Sequence, residues 1–430
     1  MSERIIFRHA LLPTGWAENV ALTFEGGIIT QIETGVPGGT SIALPGMPNL
    51  HSHSFQRAMA GKAELRGPTA DSFWTWRELM YHLALSLDPD DVQAIATLAF
   101  AEMLEGGFTS VAEFHYLHHA PDGAPYADIA EMASRIAAAA AETGIELLLL
   151  PVFYAHSGFG GKPPAEGQRR FINSLESYAK LHARCRELSV TGCAPHSLRA
   201  ATIEEIITLN SLNGVAPFHI HIAEQTAEVE ASLAVSSARP VEYLLANAPV
   251  SANWCLVHAT HITEAEAQGM AKANAVAGLC PITEANLGDG IFPAQHFSGA
   301  YGIGSDSNVL IDAGRELQML EYSQRLGQRQ RNVMATETIR PTATALYQHA
   351  VAGGAQAMGL GHGLAIGAPA SFVTIAGERP EDALADAIFT ARAPAVRDVW
   401  VRGRRVVENG QHLKAASARA RFDAVLRKRL

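Results

Sequence analysis

Apolar residues in this chain fall into short blocks of strand length, separated by longer alanine-rich stretches. From residue 42 to about 310 the blocks are 42–50, 108–114, 145–153, 190–195, 216–222, 254–259, 275–280 and 301–306. The intervals include segments with helical spacing, from Asp90 to Glu105 and from Asp128 to Glu142. Asp90 stands where an N-cap belongs, and Gly106-Gly107 supplies a stop. Strands alternating with helices predict βαβ units and a parallel sheet. Eight strands with eight connections predict a closed (β/α)8 TIM-type barrel, with helices continuing to about residue 365.

The two ends of the chain have a different rhythm. Val20–Phe24 and Ile28–Ile32 are apolar runs joined by Glu25-Gly26-Gly27, a hairpin signal. The tail repeats that character in Ala370–Ile375, Val399-Trp400-Val401, Arg402-Gly403-Arg404 and Val406-Val407. The expected fold is therefore α/β, a barrel over residues 47–365. A small β-sandwich domain, built from residues 1–46 and 366–430, lies beside it.

Composition narrows the function. The 430 residues exceed the roughly 250 of a bare barrel. A hydrophobic content of 48% allows a large core. A net charge of −10 leaves no basic footprint for nucleic acid. Cys185, Cys193, Cys255 and Cys280 are scattered and fit reduced thiols of a cytoplasmic protein. The start has no signal-peptide apolar region, and no apolar run approaches the ~20 residues of a membrane span.

Barrel enzymes keep their chemistry at the C-terminal ends of the strands, and the polar residues here cluster there. The first strand runs into Pro48-Asn49-Leu50-His51-Ser52-His53, where alternation points His51 and His53 to one side. The fifth ends with His219, His221 and Glu224. His221 reads as a third ligand, His219 as a packed core histidine one layer deeper. The sixth ends with His258 facing the site and His261 beyond it in a loop. The eighth ends with Asp306, a ligand or the cap of the next helix when taken alone.

As a set, His51, His53, His221 and Asp306 offer three nitrogens and one oxygen to a metal such as Zn²⁺, with a position open for water. No strand end offers a bridging lysine, so one metal per chain is expected. Such an ion lowers the pKa of water from ~15.7 to ~7. Asp306 and His258 can take the water's proton and orient the nucleophile. Glu224 can carry protons to a leaving nitrogen. The parts describe hydrolysis of a C–N bond at an sp² carbon.

This ordered set resembles the amidohydrolase superfamily over the full chain. It is similar to the mononuclear aminohydrolases and, more narrowly, to formimidoylglutamate deiminase of bacterial histidine degradation. The likeness extends through Met47–Gly61, Ser72–Arg77, Glu113–Tyr116 and Ala194–Arg199. The resemblance implies zinc, a homodimer, and conversion of N-formimidoyl-L-glutamate to N-formyl-L-glutamate and ammonia. By the same resemblance Arg77, Tyr116 and Arg199 hold the glutamate part, and Gln56 and His196 contact the formimidoyl end. Arginine forks suit a dicarboxylate substrate. The competing reading is an aminohydrolase of a purine, pterin or triazine-type ring, which has less use for two arginines. The Gly158–Pro164 loop is either a cover or a surface loop, and Gly353-Gly354 reads as a helix-packing site.

Overall fold

The computed structural model describes residues 2–66, 73–361, 363–391 and 395–429, without the side chains of Phe73 and Trp74. Strands covered on both faces need unbroken apolar runs. Phe108–His115 is buried at every position, and Glu146–Phe153 at every position but the first. Parallel pairing joins Met47–Ser52, Phe108–His115, Glu146–Phe153 and a split fourth strand, Val190–Thr191 with Ala194–Pro195. A second parallel run joins Phe218–Ile222, Trp254–His258, Val276–Leu279 and Tyr301–Ile303. Single bridges close the circle. Cys193 and Ser197 pair with Phe218 and His221 on one side, and Ser52 pairs with Asp306 on the other. The eight strands thus form a (β/α)8 barrel.

Three details differ from the pattern read along the chain. The run 42–50 is two strands in two sheets. Ile42–Pro45 pairs with Glu3–Leu12 and Phe372–Ile375, whereas Met47–Ser52 opens the barrel. The chain turns at Gly46, where a Cβ would stand 2.1 Å from Thr109 Oγ1. Both halves are buried, so hydropathy has no break to register. The second barrel helix runs Glu131–Thr143, and the Asp128 carboxylate accepts from Ala130 N–H ahead of it. The first runs Pro89–Glu105, and its cap is Asp88, not Asp90. The Asp88 carboxylate accepts from Asp91 N–H, and Pro89 takes the first helical position, where its missing N–H costs nothing.

The chain ends form one eight-stranded sheet. Its order is Gln411–His412, Arg404–Glu408, Val396–Val401, Phe372–Ile375, Ile42–Pro45, Glu3–Leu12, Gly15–Glu25 and Ile28–Glu33. The turn between Val396–Val401 and Arg404–Glu408 folds back onto the Gly15–Glu25 strand. Gly403 lies against Phe24, and Phe7, Val20, Leu22, Phe24 and Phe372 share one core. The unit is sandwich-like for that reason. The closing helix, Ala415–Arg429, returns to the Pro89–Glu105 helix, where Arg429 meets Asp88 and Asp91 and Arg419 meets Glu102. No helix among the described residues is long and apolar enough to cross a membrane.

The Thr342–Met358 helix crosses the foot of the barrel under the first and eighth strands. Gly353 and Gly354 make that approach. A Cβ on Gly353 would lie 1.9 Å from the Tyr301 carbonyl oxygen, and one on Gly302 would lie 2.6 Å from Gly354 N. His219 donates from Nε2 to the Ala357 carbonyl of this helix at 2.8 Å, a core histidine below the site. Gly353→Ala should therefore lower stability by about 1–3 kcal/mol through overpacking, against the gain in helix propensity. Denaturant unfolding with an unchanged midpoint would show that the helix can move away freely.

Candidate active site

Alternation along the first strand brings His51 and His53 together, with Nε2 atoms 3.2 Å apart. His221, from the fifth strand, places its Nε2 2.9 Å from that of His51. Asp306 Oδ1 lies 3.6 Å from His51 Nε2 and 3.4 Å from His53 Nε2. Two of the imidazoles are oriented by their other nitrogen. His53 Nδ1 donates to the Phe114 carbonyl at 2.9 Å, and His221 Nδ1 to the His196 carbonyl at 3.0 Å. Those bonds select the tautomer with a bare Nε2. Burial depresses all three imidazoles, His51 to about 3, so they are neutral. His53 and His221 thus aim bare lone pairs at His51 Nε2, a convergence that a shared cation would hold together. The three histidines fit a divalent metal of the Zn²⁺ type, and Asp306, grouped also with His258 and Cys280, stands at their edge.

Asp306 reaches the group through the barrel seam. Its N–H donates to the His51 carbonyl at 3.0 Å, and its own carbonyl accepts from His53 N–H at 2.9 Å. Two asparagines hold the seam. Asn49 donates to Ser305 Oγ at 2.7 Å, and Asn308 donates to the His53 and Asp306 carbonyls at 3.0 and 2.9 Å. Asp306 and His258 have left-handed backbones, with φ of 44° and 68°. Such strain, of order 1–3 kcal/mol each, collects at functional sites. Here it turns both side chains off the strand line. Burial disfavours the Asp306 charge, but the surrounding His51, His258 and His53 hold its pKa below the ordinary carboxylate range.

His258 Nε2 stands 3.8 Å from both Glu224 Oε1 and Asp306 Oδ2. Its Nδ1 lies 3.3 Å from Glu284 Oε1, which also accepts from Cys280 N–H. Burial alone would lower His258, but Glu224, Glu284 and Asp306 raise it to about 10. Burial raises Glu224 to about 7, and the Glu224 N–H donates to Glu228. Glu284 went unnoticed in the sequence because it follows the seventh strand inside the first turn of a short helix, Pro281–Leu287. A strand-by-strand search for polar residues just past each C-terminal end would have found it.

Beside this cluster is a cleft of about 560 Å³, its open mouth included. All the residues expected at the site line it except His51, which is fully buried at its floor. Gln56 donates to Tyr116 Oη at 2.8 Å, and Tyr116 donates to Met80 Sδ. Arg77 lies on the Phe73–Ser86 helix, with its guanidinium 5.5 Å from the Tyr81 ring centroid. Arg199 Nη2 is 3.7 Å from Glu224 Oε2, a pairing that spacing along the chain does not reveal. His196 sits at the rim with its Nδ1 3.2 Å from Ser197 Oγ. Of the motif before Arg77, Ser72 and the Phe73 and Trp74 side chains lie outside the described residues. Tyr81, Tyr154 and Phe171 also line the cleft and were not anticipated. Tyr81 was within reach, since it stands four residues after Arg77 and so shares its helix face.

The geometry offers His221 as the candidate ligand that joins the fifth strand to the first. His221→Ala should lose bound metal and activity together, and metal analysis of the purified variant is the check. Full metal occupancy would remove His221 from the ligand set.

Residues 42–406 match the amidohydrolase family model, and residues 3–40 match the formimidoylglutamate deiminase HutF N-terminal domain. The chain is 48% identical to a formimidoylglutamate deiminase of Pseudomonas aeruginosa over 97% of each protein. It is 26% identical to a 5-methylthioadenosine/S-adenosylhomocysteine deaminase of Natronomonas pharaonis, over 86% of this chain and 82% of that one. A crystal structure of an amidohydrolase from Brucella melitensis superposes with a TM-score of 0.96 at 53% identity, covering 99% of both chains. An adenosine deaminase from Xanthomonas campestris shares the fold, with a TM-score of 0.78 at 22% identity over 98% of both chains. The chain belongs to the amidohydrolase family, on the branch that holds the formimidoylglutamate deiminases, and is a hydrolase acting on C–N bonds.

Proposed function

We propose that this chain hydrolyses N-formimidoyl-L-glutamate to N-formyl-L-glutamate and ammonia, a step of histidine degradation. One Zn²⁺ per chain would be held by His51, His53, His221 and Asp306. The observation that carries the reading is a single cleft holding Arg77 and Arg199 beside that ligand set. Arginine forks match carboxylates in geometry and charge. A purine, pterin or triazine ring offers them no anion. Four buried free cysteines suit a reducing cytoplasm. A homodimer is the state the family resemblance implies.

When bound, the metal supplies the Lewis acidity that makes water a competent nucleophile near neutral pH. The protein's own groups do the rest. Arg77, Arg199 and Tyr116 hold the glutamate part, and Gln56 and His196 face the formimidoyl group. Asp306, ionised in its pocket, takes the proton of the attacking water as oxygen bonds to the formimidoyl carbon. His258, kept cationic by its carboxylate neighbours and so unable to take the water's proton, orients the attacking oxygen. Glu224, poised near 7, passes a proton to the terminal nitrogen. That C–N bond breaks, ammonia leaves, the hydroxyl proton returns to Glu224 as the formyl carbonyl forms, and the proton on Asp306 goes out with the ammonia.

Purified protein should release ammonia from N-formimidoyl-L-glutamate, lose that activity after chelation, and regain it with zinc. No release from a zinc-loaded sample would overturn the substrate assignment. Glu224→Gln should keep its zinc and lose about 10²–10⁴-fold in kcat, because an amide cannot shuttle protons. Wild-type turnover in that variant would end the assigned role.

A further inference from the structure

Beside Arg77 and Arg199 the cleft wall carries two tyrosines, Tyr81 and Tyr154, that the reaction as drawn leaves without a role. One amide organises both. Gln168 donates from Nε2 to Tyr154 Oη at 2.9 Å and to Tyr81 Oη at 3.3 Å. The direction of those bonds is settled locally. Gln168 Oε1 accepts from Ala165 N–H at 2.8 Å, so its NH₂ must be the end facing the tyrosines. Gln168 and Tyr154 are both buried.

A hydroxyl oxygen that accepts from an amide keeps its proton for another acceptor. The Tyr154 hydroxyl also touches that of Tyr81 and feels the charges of Arg77 and Arg199. One tyrosine proton can satisfy the other tyrosine. The second has to go elsewhere, and the open side is the cleft. Around Tyr154 the wall therefore presents two guanidinium groups and at least one O–H. Such a wall suits a group that accepts on both its oxygens. A carboxamide would turn an N–H toward a donor and leave both unsatisfied.

We infer that Tyr154, set as a donor by Gln168 and seconded by Tyr81, is a specificity-determining residue that selects a substrate carboxylate over the corresponding carboxamide. The inference rests on the dicarboxylate reading of this cleft. His196 supports the placement. Its ring centroid is 4.7 Å from that of Tyr154, and its carbonyl holds the candidate ligand His221. The tyrosine is thus braced against the same segment that orients the reacting end, and a substrate held by its carboxylate is also held in register.

The test is binding, which does not require turnover. Kd is measured by calorimetry for N-formyl-L-glutamate, N-formyl-L-glutamine and N-formyl-L-isoglutamine with zinc-loaded wild type, Tyr154→Phe and Gln168→Glu. Gln168→Glu keeps the shape and the Ala165 bond but gives the tyrosines an acceptor, so it draws their protons away from the cleft. Both variants should weaken the diacid by about 10- to 100-fold and change one of the two amides by no more than about 3-fold. The amide so spared identifies which carboxylate Tyr154 contacts. Equal loss for all three ligands, or no loss for any, would overturn the inference, as would a wild type that binds acid and amides alike. Thermal melts report any general damage to the fold. Discrimination by binding in a protein that releases no ammonia would sink the proposed reaction and leave this inference standing.

Discussion

Three buried imidazole nitrogens pointing at one another constrain everything else in this molecule. His53 and His221 aim bare lone pairs at His51 Nε2 from 3.2 and 2.9 Å, a convergence that a shared cation would hold together. The fold keeps them there because the candidate ligands are also the closure of the barrel. The first and eighth strands meet through backbone bonds between His51, His53 and Asp306, and the fourth and fifth meet through the bridge from Ser197 to His221. Loosening the site would open the barrel, and opening the barrel would scatter the ligands.

Around that centre the charges are arranged in two walls. On one side Glu224, Glu284 and Asp306 surround His258, so a buried imidazole that would otherwise be neutral is held as a cation. Asp289 adds a further buried carboxyl, raised to about 9 by burial, which accepts from Gln225. On the other side Arg77 and Arg199 face the cleft with the tyrosines. Arg199 belongs to both walls, since it lies within ion-pair distance of Glu224 and Glu228. A substrate anion drawn to Arg199 would compete with Glu224 for it. Binding and the proton inventory of the site are therefore linked through one side chain.

The rest of the chain supports this arrangement from a distance. The Thr342–Met358 helix lies against the strands that carry His51 and Asp306, and two glycines let it approach. Arg57, just past His53, pairs with Glu102 at 2.6 Å and donates to the Asn308 and Val309 carbonyls. That ties the segment holding Gln56 to the helix behind it. Glu102 in turn takes Arg419 from the C-terminal helix.

Much of the site was legible in the sequence because the decisive information is local. Two histidines one residue apart on a strand must share a face, whatever surrounds them. Strand ends read from hydropathy place His221, Glu224, His258 and Asp306 at one rim, since a parallel barrel aligns all its C-terminal ends. What tertiary structure decided lies between residues far apart in the chain. Hydropathy alone ran one strand through Gly46, because residues buried in two sheets are as apolar as residues buried in one. It passed over Glu284 and set Arg199 only to a substrate, since no periodicity records that residue 284 meets residue 258 or that residue 199 meets residue 224. The left-handed backbone at His258 and Asp306, which histidine and aspartate adopt more readily than most residues, is not legible in hydropathy either. Side-chain identity named the candidate ligands, and three-dimensional closure determined which partners surround them.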